Sequence, residues 1–162
     1  MSDNKTNSMR ALDARKIPYQ VFTFAPDIHS AAGVAEAVGL PPQQVYKTLV
    51  VLRPQGKPML IMIAGDRELD LKRVAKAVDE KKVRMASHNE AEALTGLQVG
   101  GISALALLNR PFDVFIDHPA SELPHLLVSA GKRGINLRLA VRDLIRVTRA
   151  RIIEATEQAE RS

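Results

Sequence analysis

Val45-Tyr46-Lys47-Thr48-Leu49-Val50-Val51-Leu52 is the stretch on which the reading of the whole chain turns. Every residue except Lys47 is β-branched, aromatic or leucine, which predicts a largely buried strand. A lysine in the middle of such a strand is anomalous, because taking an ammonium group out of water is costly unless it meets an anion or reaches a cleft. Two bland readings are open: Lys47 lies on the solvent face of an edge strand, or it snorkels to the surface along its own methylenes. The third is that other parts of the chain build an anion site around it.

Working outward, Pro54-Gln55-Gly56-Lys57 carries turn chemistry, so Tyr46–Arg53 and Pro58–Ala64 are expected to form a β-hairpin. Upstream, Pro41-Pro42 separates the strand from a helix capped by Ser30 and closed by Gly39. Before that come a strand at Tyr19–Phe24 and a short helix, capped by Ser8, with Met9 and Leu12 on one face. Downstream, Asp70 opens a helix with Leu71, Val74, Ala75 and Val78 on its apolar side. Lys82–Ala86 reads as a short strand, and Ser87-His88-Asn89-Glu90 fits a capping box for a helix that Gly96 ends. A glycine loop at Leu97–Ser103 leads through Ala104–Leu108 to strands at Phe112–Asp117 and His125–Ser129. After a turn at Ala130–Gly134 comes a final strand, Asn136–Leu139, and a helix from Val141 towards the C-terminus. Strands joined by both hairpins and helices indicate an α+β fold with a mixed or barrel-like β-sheet.

At 162 residues the chain is read as one domain over 8–155, with a disordered leader at 1–7 and a frayed tail at 156–162. No apolar run approaches the about 20 residues of a membrane helix, and the polar start has no secretory h-region, so a cytoplasmic protein is expected. The absence of cysteine excludes disulfides, thiolate metal sites and a cysteine nucleophile. The net charge of +5 favours a polyanionic partner. Only 4% of residues are aromatic and none is tryptophan, which argues against a base-stacking surface.

His29, His88, His118 and His125 are far apart and show no metal-ligand spacing. His29 is singled out as a candidate acid or base, since it lies in a loop beside a helix start. Neither Ser103 nor Ser129 lies in a nucleophile-elbow motif, and Gly131-Lys132-Arg133-Gly134 lacks the spacing of a phosphate loop. Three places remain where backbone and charge could converge: Lys47-Thr48, the pair Gly100-Gly101, and Ser129 with Gly131 beside Lys132 and Arg133. Each alone has an ordinary structural reading. Together they suit a small pocket for a phosphate or carboxylate.

The same residues carry a resemblance. Val45–Val51 resembles the lysine-bearing strand of the YbaK family of aminoacyl-tRNA deacylases, which includes the Cys-tRNA(Pro) deacylases and is related to the editing domain of bacterial prolyl-tRNA synthetases. Leu69–Ala77, Thr95-Gly96, Val99–Ser103 and Val128–Gly134 are similar to further motifs of that family, in the same order and at like spacings, over residues 10–150. The resemblance implies a mixed β-barrel flanked by helices, a pocket for the 3′ end of mischarged tRNA, no metal or other cofactor, and no protein nucleophile. It assigns catalytic parts to Lys47, which would hold the terminal nucleotide's phosphate or sugar end, and to Gly101, whose backbone would stand near the ester. It assigns substrate binding to Phe24, His29, Thr48, Gly100, Ile102, Ser103, Ser129, Gly131 and Asn136. Cleavage would rely on the terminal ribose hydroxyl with a water, or on the thiol of a misattached cysteine.

The chain departs from the family pattern in the length of Ala25–Ser30, which is shorter here and bears on how His29 and Ser30 align, and at three single positions. Ala104 stands where proline is expected, which would loosen the loop carrying Gly101. Asn136 replaces an aspartate near the pocket, and Phe24 replaces a tyrosine. These changes bear on the amino acid removed: cysteine from tRNA(Pro) is the first choice, alanine or another small residue the alternative. The rival from another class is a non-catalytic module that holds tRNA or nucleotide ends beside a synthetase, prolyl-tRNA synthetase among the candidates.

Overall fold

The computed structural model describes residues 5–157. In chain order its elements are α1 (Asn7–Ala14), β1 (Gln20–Thr23), α2 (Ala31–Val38), β2 (Tyr46–Leu52), β3 (Met59–Ala64), α3 (Leu71–Ala77), β4 (Arg84–Met85), α4 (His88–Thr95), β5 (Asp113–Asp117), β6 (His125–Lys132), β7 (Ile135–Ala140), α5 (Val141–Thr148) and β8 (Arg151–Ile153). Residues 1–4 of the expected leader and 158–162 of the expected tail lie outside the described residues.

β3 explains the layering. All six of its residues, Met-Leu-Ile-Met-Ile-Ala, are buried, a continuous apolar run that only a strand covered on both faces can hide. Leu60, Met62 and Ala64 face a core shared with Tyr46, Val50, Leu126, Val128, Leu137 and Leu139. Met59, Ile61 and Ile63 face a second core with Val51, Val74, Ala75 and Phe115. A five-stranded sheet, β4-β2-β3-β5-β8, is therefore packed between α3 on one side and the antiparallel sheet β1-β7-β6 on the other.

The expected hairpin forms, with Tyr46 opposite Ala64 and Val51 opposite Met59. β5 then joins β3 in parallel, Ile61 opposite Phe115, and the intervening α3, β4 and α4 supply the long crossover that parallel pairing requires. A single parallel bridge between Val45 and Leu127 links the two sheets. They do not close into a barrel, so the sheet is mixed but open.

Helix caps follow the sequence closely. Ser30 accepts from Gly33 N and Gly39 takes the left-handed conformation. Asp70 accepts from Lys72 N and Arg73 N, and the Ser87–Glu90 capping box is complete. α1 is the exception. Thr6 caps it, accepting from Met9 N at 3.3 Å, while Ser8 is fully buried and donates to the Ala130 carbonyl at 2.6 Å. The helix begins earlier than expected because Ser8 belongs to the face it lays against β6.

Two further expectations are corrected. The turn placed at Ala130–Gly134 is mostly strand: β6 runs on to Lys132 through an irregularity after Ser129, and Gly131, at φ 98°, absorbs it. Nor does the last helix continue to the C-terminus. α5 ends at Arg149, whose φ is 58°, and the chain returns as β8, parallel to β5 with Ile116 opposite Ile152. Beyond β8 the Asp117 carboxylate accepts from Ala155 N at 2.8 Å and from the Thr156 hydroxyl. Thr156, expected in the frayed tail, is 3% exposed and bridges to Leu69.

Candidate active site

The site forms where β2 lacks a neighbour. Along one edge β2 is paired with β3 from Tyr46 to Val51. Along the other, β4 reaches only Val51 and Leu52. Ala86 N donates to the Val50 carbonyl on this second edge, at 3.0 Å, whereas the Val45 carbonyl accepts from Gly65 N on the β3 side, at 2.7 Å. Peptide groups of alternate residues point to the same edge of a strand. The N–H and C=O of Thr48 therefore point with those of Val50 into the gap.

Around that gap lies a pocket of about 280 Å³. Tyr46–Val50 form its floor. The start of α2, from His29 to Ala32, forms one wall, and Met85, Ala86, His88 and Ala91 form another. Val99, Gly100 and Ile102 of the glycine loop close a third side, with Ser129 of β6 and Asn136 of β7 completing it. Ser129 and Asn136 are directly paired across those strands.

Lys47 is half-buried at the floor, and no carboxylate or hydrogen-bond acceptor among the described residues pairs with it. Its strand is interior in the sheet order, yet the truncated β4 leaves it open at this point. That resolves the anomaly of a charge in an apolar strand: the cleft is made by a missing stretch of neighbour. Thr48 is 9% exposed and its hydroxyl has no partner among the described residues, and the same holds for the Tyr46 hydroxyl at 2% exposure. Burial pushes the Tyr46 phenol well above its ordinary ionisation range, with the nearby Asp117 charge adding to the shift.

Charge in the pocket has one sign. Lys47, His29 and His88 line it, as do the first residues of α2 and α4, and no Asp or Glu is among the lining residues. Helix N-termini add partial positive charge and free N–H groups. No cluster of three or more potential metal ligands occurs among the described residues. The arrangement is suited to holding an anion or a polarised carbonyl.

The glycine loop is fastened in several places. Val99 N donates to Glu92 Oε2 at 2.9 Å, Gly101 N to the Gln98 carbonyl at 2.8 Å, and Arg133 Nε to the Val99 carbonyl at 2.8 Å. Ala104 sits at φ −63°, the value a proline ring would impose, so the loop follows a proline-like path without the ring. Gly101 has a steric reason to be glycine: a Cβ there would lie 3.0 Å from Arg133 N and 3.2 Å from the Lys132 carbonyl carbon.

Of the eleven residues singled out from sequence, His29, Lys47, Thr48, Gly100, Ile102, Ser129 and Asn136 come together at the pocket. Phe24, Gly101, Ser103 and Gly131 are not among its lining. Phe24 packs with Val34 and Ile28 under α2, and Ser103, 1% exposed, accepts from Ala106 N at 3.2 Å to hold the following turn. Gly131 lies against Ala106, where a Cβ would approach to 2.9 Å. Gly65 and His88 were missed. A Cβ on Gly65 would meet the Val45 carbonyl oxygen at 2.9 Å and Ala31 at 2.7 Å, so this glycine lets α2 reach the floor. His88 was legible in principle, because the capping box puts it at the first position of α4.

That helix start gives one direct test. Glu90 is held down to about 2, first by the Arg84 guanidinium and then by the Ser87 N–H. A depressed carboxyl supports the fold fully above its ordinary 4.5 and loses that support as pH falls through about 2. NMR titration is expected to find the Glu90 midpoint near 2 in the native protein and well above it in Arg84→Ala.

The comparisons with known proteins agree with this geometry. A family model described as an aminoacyl-tRNA editing domain matches residues 25–147. EbsC of Enterococcus faecalis, provisionally named a Cys-tRNA(Pro)/Cys-tRNA(Cys) deacylase, is 36% identical over 157 residues, covering 96% of this chain and 95% of the relative. A proline–tRNA ligase of Acidithiobacillus ferrooxidans is 34% identical over 96 residues, but this match takes in only 16% of the ligase. The fold is shared with the crystal structure of an enzyme provisionally described as a trans-editing enzyme for prolyl-tRNA synthetase, at a TM-score of 0.82 and 24% identity over 96% of this chain and 100% of that one. A hypothetical protein of known structure superposes at a TM-score of 0.85 with 24% identity, covering 93% and 99% of the two chains. A half-open strand bearing a lysine, walled by a glycine loop and matched along nearly its whole length by an editing protein, places the chain in the aminoacyl-tRNA editing domain family, among its YbaK-type aminoacyl-tRNA deacylases.

Proposed function

We propose that the protein acts in trans on tRNA(Pro) mischarged with cysteine, hydrolysing the ester between the amino acid and the terminal ribose. The observation that carries this reading is the single-signed pocket: among the described residues Lys47 has no partner at an open strand edge, and no acidic residue is in the lining. Lys47 holds the phosphate or sugar of the terminal nucleotide. The Thr48 peptide groups, Gly100, Ile102, Ser129, Asn136 and His29 surround the aminoacyl end, and Gly101 seats the loop on Lys132 and Arg133. Phe24, Ser103 and Gly131 contribute by supporting these walls.

In the reaction a water adds to the ester carbonyl and the bond to the ribose oxygen breaks. The water's hydroxyl stays on the carbonyl carbon, its proton passes to the departing ribose oxygen, and free cysteine leaves. No lining residue pairs a nucleophile with a base: Ser129 Oγ is engaged by Gly131 N at 3.1 Å. The ribose hydroxyl or the substrate's own thiol assists, and the protein contributes by orientation. The working unit is one domain that takes in the Thr6 cap of α1 and the chain as far as Thr156, and a tRNA substrate fits a cytoplasmic protein. Because so small a domain grips little beyond the 3′ end, prolyl-tRNA synthetase is the partner that supplies tRNA identity.

The test is to incubate the protein with Cys-tRNA(Pro), Ala-tRNA(Pro) and Cys-tRNA(Cys). Loss of the cysteine esters at comparable rates is expected, with discrimination between the two tRNAs appearing when the synthetase is added. Preferential loss of the alanine ester would replace cysteine as substrate. If every ester survives while the tRNA is bound, the chain is a binding module.

A further inference from the structure

We propose that Arg133 is a phosphodiester contact for the RNA strand entering the pocket, held ready by the carbonyl of Val99. The chemical class of the ligand rests on the deacylase reading; the geometry of the residue does not.

Arg133 is half-buried and lies outside the pocket lining, beside Gly100 of it. A Cβ built on Gly100 would stand 3.5 Å from Arg133 Nε and 3.3 Å from the His29 Cβ. The guanidinium, Gly100 and His29 thus meet in one corner of the pocket's edge. The Nε donates to Val99 O at 2.8 Å. Neither Nη1 nor Nη2 has a hydrogen-bond or carboxylate partner among the described residues.

That distinguishes it from arginines engaged elsewhere. Arg53 is paired with Asp113, Arg84 with Glu90 through both terminal nitrogens, and Arg146 with Asp143. An arginine fixed at Nε and open at both Nη atoms presents two donors in a set plane, the geometry that matches a phosphate. Its order is already supplied by Val99 and Gly100, so little side-chain freedom is lost when an anion binds. An RNA with its terminal ester in the pocket has its remaining phosphates outside, where this corner is. The exposed Lys132 next to it adds charge of the same sign.

The simpler role, fastening the glycine loop alone, predicts something different. The experiment compares wild type, Arg133→Gln and Arg133→Lys on cysteinyl-tRNA and on the cysteine ester of adenosine, which carries no upstream phosphate. For Arg133→Gln, KM on the tRNA is expected to rise about tenfold and the salt slope of log kcat/KM to fall by about 0.7. The loss on the adenosine ester should be several-fold smaller, and Arg133→Lys should retain most of the salt slope. Equal losses on both esters, or no loss on either, overturn the proposal. If Arg133→Gln does not fold, Arg133→Lys decides: its fixed fork is gone but its charge stays, so a loss confined to tRNA supports a phosphate contact and a loss shared by both esters refutes it. Should wild type cleave neither ester, the deacylase reading fails. The salt slope of binding to uncharged tRNA then tests Arg133, and an unchanged slope in Arg133→Gln sinks the contact.

Discussion

Lys47→Ala is expected to lower kcat/KM for ester cleavage by a factor on the order of 100 to 1,000, the cost of removing one preorganised charge or donor from an active site. The same substitution should leave the melting temperature unchanged or slightly raised. Lys47 has no partner among the described residues, and an unpaired, half-buried ammonium costs free energy rather than contributing it. Activity and stability therefore move independently, which separates a binding role from a structural one. Lys47→Arg should recover only part of the loss, because a planar fork does not occupy the place of a compact ammonium. Single-turnover ester loss and a thermal melt on the same samples check both halves. Ester loss in Lys47→Ala within a few-fold of wild type would remove the lysine from the mechanism.

The second large effect is on the fold. Asp117→Ala takes away the acceptor of Ala155 N and of the Thr156 hydroxyl, both in a buried setting. Leaving such donors unsatisfied costs about 1–3 kcal/mol each, and the chain beyond β8 loses what ties it to β5. A total of about 3 kcal/mol corresponds to a fall in melting temperature of roughly 6–12 °C for a domain of this size. Hydrogen exchange should show β8 and the Leu69–Thr156 bridge opening first. Asp117 is not in the pocket lining, so the folded variant should still cleave its substrate. Exchange at β8 unchanged from wild type would show that the carboxylate is not what holds it.

Much of the architecture was legible because local chemistry and tertiary context agree. Ser30 with Gly39, Asp70, and Ser87 with Glu90 mark helix ends by the hydrogen bonds they make. The Pro54–Lys57 turn announces the hairpin. β8 was not legible, since Arg-Ile-Ile is too short to show a period and is a strand only because β5 offers an edge. Parallel pairing of β3 with β5 was equally hidden, being a property of the crossover rather than of either segment. Thr6 and Ser8 are a case in which two good caps compete and burial decides between them.

At the site, the sequence pointed to the lysine, the glycine loop and the late strands, and seven of eleven named residues line one pocket. The family resemblance is what assigns Gly101, Ser103 and Gly131 to the substrate. Their surroundings show structural uses: Gly101 lets the Lys132–Arg133 backbone approach, Gly131 makes room for the Ala106 side chain, and Ser103 holds the turn at Ala106. What could not be read was the gap itself. The pocket depends on β4 ending two residues along β2, and its trace in β2, the lysine, reads equally well as an edge-strand or snorkelling side chain.

That gap has a consequence for how specificity can change. The peptide groups of Thr48 face the open edge of the pocket as main chain, aligned by the pairing of β2 with β3. A grip made of main chain is the same whichever side chains the walls carry. On the proposed function, exchanging Ala86, Ala91, Val99 or Ile102 in the lining is expected to admit a different amino acid while the hold on the ester stays. Selectivity and anchoring become separately adjustable parts, and one scaffold can be turned to a new mischarged residue by repainting its walls while its floor stays as it is.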